Sequence, residues 1–166
     1  MTKLRWLFPV LALPFAVPAL AGDGPVPAPS ANAPVAAGAV IGPALNVGDI
    51  ARSRHFYVDG LGMKVNMTMG APTRQETMLG FDADPRRPGI ILLADTTAKS
   101  PRTIAQSNGF DRLVMRMADL DATATRLRAA GFTPSPIRDV AMGYRMMIVT
   151  DPDGYRLELV ESRTRR

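Results

Sequence analysis

Glu158 stands between two leucines in a stretch that otherwise reads as a buried strand, and its chemistry needs an explanation. Residues 149–161 read as two strands joined by Asp151-Pro152-Asp153-Gly154. Proline pre-sets φ at the second turn position and glycine closes the turn without steric cost, as a type I turn asks. After the turn, Leu157, Leu159 and Glu161 alternate with Arg156, Glu158 and Val160, so a strand puts Glu158 on the face opposite both leucines. A carboxylate in that position must meet water, a countercharge or a ligand.

Few other groups can join it. The chain of 166 residues has one histidine and no cysteine. That rules out disulfides, a thiolate nucleophile and a thiolate metal site. Zinc, nickel and iron sites ordinarily rest on imidazole or thiolate ligands, which one chain cannot supply in pairs here. His55 lies beside Phe56 and Tyr57 on a predicted helix and reads as a surface or helix-packing residue. A homodimer is compatible with the sequence but brings only two such imidazoles. No cofactor is predicted; an all-oxygen site for Mg²⁺ or Mn²⁺ built on Glu158 and other carboxylates stays open, without a sequence pattern behind it. The chain also has no glycine-rich phosphate loop and no G-x-S-x-G, and only His55 is available for a Ser-His-Asp set.

The net charge of +5 belongs to the ends of the chain: Lys3 and Arg5 at the start, Arg163, Arg165 and Arg166 at the finish. No basic patch with interleaved aromatics points to nucleic acid. Lys3 and Arg5 precede the apolar run 6–20, which closes on Ala19-Leu20-Ala21, the pattern of a secretory signal peptide over residues 1–21. The run is short of the ~20 residues a membrane span needs, and Pro9, Pro14 and Pro18 interrupt it. The expectation is export to a bacterial periplasm or beyond, with no membrane association after cleavage. Residues 22–40 are rich in proline and alanine and read as an extended tether. The 46% hydrophobic content is enough for one folded domain, expected over 41–162, followed by a basic tail at 163–166.

Within that domain the chain says nearly the same thing twice. Leu45-Asn-Val47-Gly-Asp49-Ile50 is answered 70 residues later by Met115-Arg-Met117-Ala-Asp119-Leu120. Each is a short alternating strand running into an aspartate that can cap a helix. The first helix should bury Ile50, Ser53, Tyr57 and Leu61, the second Leu120, Ala124 and Leu127. They end at Gly62 and Gly131, where glycine suits the left-handed position. Further strands are predicted over 63–69, 76–81 and 89–94, then 136–140, 144–149 and 155–161. Each half is thus a β-α-β-β-β unit.

Asp49-Ile-Ala-Arg-Ser53-Arg-His-Phe56-Tyr57-Val-Asp-Gly-Leu61-Gly62, together with Asp151-Pro-Asp-Gly-Tyr-Arg-Leu-Glu158-Leu, resembles the vicinal oxygen chelate superfamily. That group includes glyoxalase I, extradiol dioxygenases, fosfomycin-resistance enzymes and bleomycin-binding proteins. The resemblance covers residues 41–162. It implies an α+β fold in which two β-α-β-β-β modules pair into a curved, cup-shaped mixed sheet with helices on the outer face. It also implies four metal ligands, a histidine early in the first strand and a glutamate in the last strand of each half. The histidine positions fall on Gly42 and Arg112, the first-half glutamate on Leu92 or Leu93; only Glu158 matches.

Alternation puts Arg112, Val114 and Arg116 on one strand face and Leu113, Met115 and Met117 on the other. The family's strand order brings Arg112 beside Glu158, which predicts an ion pair where a metal would otherwise sit. Such a pair either satisfies itself or offers a fixed donor fork to an anionic or carbonyl ligand. Asn46 shares a face with Gly42, and Tyr144 opens a strand at a pocket rim. Arg112, Glu158, Asn46, Arg116 and Tyr144 are therefore the candidate binding residues, with Glu158 the candidate catalytic one. Met67, Met69, Met78, Met142, Met146 and Met147 point to a pliable interior. The reading is a protein that binds a small organic molecule in its concave sheet without the usual divalent metal. The alternatives are a metal-dependent lyase of the glyoxalase I kind and an association module with a vestigial pocket.

Overall fold

A computed structural model describes residues 40–84 and 86–162. The expected signal peptide, nearly all of the tether and the basic tail lie outside them. The described chain runs β1 (Ala44–Asn46), α1 (Ile50–Arg54), β2 (Lys64–Met69), β3 (Gln75–Gly80) and β4 (Ile90–Ala94). The second half repeats that order: β5 (Leu113–Arg116), α2 (Leu120–Ala129), β6 (Arg138–Val140), β7 (Tyr144–Thr150) and β8 (Arg156–Ser162). Each half forms a mixed four-stranded sheet, ordered β1-β4-β3-β2 and β5-β8-β7-β6. The fold is therefore α+β, two β-α-β-β-β modules. No hydrogen-bonded ladder joins the two sheets among the described residues; a shared core and a set of buried polar contacts hold the halves together.

Both helices start as their sequences dictate. The Asp49 side chain accepts from the amides of Ala51 and Arg52, and that of Asp119 from Ala122; each fills orphan donors of a first turn. One turn on, the Ser53 hydroxyl donates to the Asp49 carbonyl and the Thr123 hydroxyl to that of Asp119. The first helix then departs from expectation. Residues His55–Gly60 widen into a π-helical segment, in which the Leu61 amide bonds back to Phe56 at 3.0 Å. Phe56 and Tyr57, at i+3 and i+4 from the buried Ser53, are both fully buried, on the stripe that a helix turns to the core. Phe56 meets Phe132 edge-on at 4.8 Å between centroids. One core results, drawn from Leu45, Leu92, Leu120, Leu127, Leu157 and Leu159 of both halves.

The turn before β8 links the halves. Asp153, whose side chain is 1% exposed, accepts from Arg52 Nη2 at 2.8 Å, Ser53 Oγ at 3.1 Å and the Gly48 amide at 3.1 Å. Asp151 accepts from the Tyr57 hydroxyl at 2.8 Å and from the amides of Asp153 and Tyr155. Burial pushes the Asp151 carboxyl above the usual range, against the lowering effect of the Tyr57 hydroxyl, and drives the Tyr57 phenol well up.

Tyr57→Phe removes the buried donor and leaves Asp151 under-satisfied; equilibrium urea unfolding is expected to show a loss of about 1–3 kcal/mol. A folded-state pKa above the unfolded one means that ionising Asp151 disfavours the fold. Relative to Asp151→Asn, the natural protein should lose stability as pH rises from the unfolded through the folded Asp151 pKa, which unfolding curves taken across acidic pH will show.

Candidate functional site

The parallel pairing of β5 with β8 sets Val114 beside Glu158 and Arg116 beside Val160, and the antiparallel partner β7 sets Ile148 and Met146 on the same face. This face points away from the helix side, where Leu113, Met115, Leu157 and Leu159 pack. It is open: Val114 is 53% exposed. Arg112 lies just before β5 and donates from Nε to Glu158 Oε2 at 2.6 Å. Its Nη1 donates to Asp111. These two carboxylates hold the guanidinium more firmly protonated than usual, Asp111 first and Glu158 second. Nη2 makes no hydrogen bond among the described residues, and the Arg112 side chain is 42% exposed.

Arg116 stands at the far end of β5 with its guanidinium over the Tyr144 ring, 5.8 Å from the centroid, a cation–π contact. Two of the five candidate binding residues thus form one pair and two another. Asn46 joins neither: it sits on the open face of the first half, and only its backbone carbonyl is engaged, by the Tyr155 hydroxyl at 3.0 Å.

The first half corrects the expectation for its acid. Ala44 and Val114 are equivalent positions 70 residues apart, and Ala44 pairs with Ile91 where Val114 pairs with Glu158. The counterpart of Glu158 is therefore Ile91. Leu92 is fully buried on the core side, and Leu93 pairs with Asn46 one step further along. Placing it on Leu92 or Leu93 missed this because register is set by strand pairing, which sequence position alone does not show.

The histidine positions are equally unfit for a metal. Gly42 has φ +146°, and a Cβ there would lie 1.9 Å from the Gly89 carbonyl oxygen. Any side chain at that place collides with the β3–β4 connection. His55 is half-exposed, turned toward Asp59 at 2.7 Å and the Ala130 carbonyl at 3.1 Å, far from Glu158 in the fold's layering. No cluster of three or more histidine, aspartate or glutamate side chains able to hold an ion occurs among the described residues. Glycine, isoleucine, arginine and glutamate are not a donor set for a divalent ion.

The methionines also split differently from expectation. Met146 and Met147 are buried, but Met67, Met69 and Met142 are exposed at 39%, 44% and 92%. Met67 pairs with Met78 across β2 and β3, so the sulfur-rich surface is the open face of the first sheet rather than the interior.

A family model described as Glyoxalase/Bleomycin resistance protein/Dioxygenase superfamily matches residues 39–159. Among curated relatives, the lactoylglutathione lyase of Haemophilus influenzae is 28% identical over 72% of this chain and 90% of its own. The probable lactoylglutathione lyase of Synechocystis is 25% identical over 74% and 94%. Among solved structures, the trypanothione-dependent glyoxalase I of Leishmania major superposes with a TM-score of 0.62 at 22% identity, covering 75% of this chain and 87% of that one. The topology, the paired modules and the family match agree: this chain belongs to the glyoxalase/bleomycin resistance protein/dioxygenase superfamily.

Proposed function

We propose that the open face of the second half binds a small organic molecule bearing a carboxylate or carbonyl group, with a guanidinium in the place a divalent metal would take. The observation that supports this most is the state of Arg112. Nε and Nη1 are fixed by Glu158 and Asp111, so the planar fork is pre-positioned with Nη2 free to donate. Pre-organised donors lose less entropy on binding than a mobile side chain does. Val114, Val160 and Ile148 supply an apolar bed for the rest of the ligand. Glu158 acts as the positioning partner of Arg112; already hydrogen-bonded, it is a weaker candidate for a base.

The names of the curated relatives favour lactoylglutathione lyase activity as a second reading. The two readings separate in one experiment on the purified full chain. Thermal unfolding is followed with pyruvate and benzoate as probes, and S-lactoylglutathione formation is assayed with added Ni²⁺, Zn²⁺ or Mn²⁺. The binding reading expects saturable upward Tm shifts of several degrees, abolished in Arg112→Ala, with no metal-stimulated turnover. Absence of any shift, or turnover that rises with metal, sinks it.

A further inference from the structure

Sulfur is concentrated on one part of the first sheet. Thr77 and Leu79 of β3 are buried toward the core, so Glu76 and Met78 point to the open face by alternation. Strand pairing sets Met67 opposite Met78 and Met69 opposite Glu76, which puts all four side chains on that face. Directly opposed side chains lie about 5 Å apart at Cβ, and Met67 and Met69 are about 7 Å apart along β2. A methionine side chain has three rotatable bonds and a polarisable sulfur, so thioethers at those spacings can close on one point.

The surroundings suit an ion rather than a packing partner. β2 is the outer strand of its sheet, and Met67 and Met69 are 39% and 44% exposed, which leaves an approach from solvent. On the inner side Ile91 pairs with Met78 and Leu93 with Glu76, an apolar flank. The Glu76 carboxylate makes no hydrogen bond or ion pair among the described residues. A lone negative charge beside three neutral sulfurs favours a cation. Thioethers also select among cations: they suit soft ions such as Cu⁺, whereas carboxylate and imidazole suit harder ones. The chain offers such an ion no rival site of nitrogen or thiolate. It has no cysteine and one histidine, and both ring nitrogens of that His55 are engaged, by Asp59 and the Ala130 carbonyl.

We infer that Met67, Met69 and Met78 bind one soft monovalent cation, Cu⁺ or Ag⁺, through three thioethers, with Glu76 as the countercharge. The site shares no residue with the Arg112–Glu158 pair and does not depend on it.

The test is calorimetric titration of the full chain with silver nitrate in chloride-free buffer, Ag⁺ standing for Cu⁺ because it needs no reductant. One ion per chain should bind saturably. Met67→Leu and Met69→Leu, volume-conserving changes at exposed positions, should each weaken it by roughly tenfold or more, since loss of even an outer-shell partner of a metal costs about that. His55→Gln, Met142→Leu and Arg112→Ala should leave the affinity unchanged, and excess Zn²⁺ should not compete. Absence of saturable binding, indifference to both β2 substitutions, loss in any of the three controls, or displacement by Zn²⁺ would each overturn the assignment. None of these results bears on the organic-ligand reading, whose probes and Arg112 variant are separate.

Discussion

Two buried aspartates in one four-residue turn hold this molecule in shape. Asp153 gathers the Gly48 amide, Ser53 and Arg52 from the first half, and Asp151 takes the Tyr57 hydroxyl. A carboxylate removed from water is tolerable only when charge and hydrogen bonds compensate it, so the turn must sit against the first helix or not fold. That requirement fixes the start of β8, hence its register against β5 and β7, hence the face on which Glu158 emerges. The face that carries Glu158 is a consequence of a staple made on the other side of the sheet.

Much of this was legible because it rests on local rules. Period-2 alternation is enough to put Arg112, Val114 and Arg116 on one face and Glu158 opposite its leucine neighbours. Asp49 and Asp119 announce helix starts by residue type alone. Features that depend on tertiary pairing were not legible. Asp151 and Asp153 have a sufficient local explanation as turn residues, which hides their burial. Phe56, at i+3 from Ser53, shares the buried stripe with Tyr57, but the widening of the helix around them has no sequence signal. The apolar counterpart of Glu158 is Ile91 by strand register.

The site follows from substitution of one kind of chemistry for another. A divalent ion needs several converging lone pairs; here one wall offers Glu158 and the remaining places hold Gly42, Ile91 and Arg112. The glycine is the hardest to reverse, since its backbone lies against Gly89 where a side chain would have to pass. Arg112 lies between Glu158 and Asp111 and is held by both. It cannot polarise a carbonyl as strongly as a bound ion or lower the pKa of a water.

The most direct test is calorimetric titration of the purified, chelator-treated full chain with Ni²⁺, Zn²⁺ and Mn²⁺, with bound metal counted afterwards by mass spectrometry. The account predicts no saturable binding of any of the three and the same result for Glu158→Gln. One tightly held ion per chain, lost in Glu158→Gln, would contradict it.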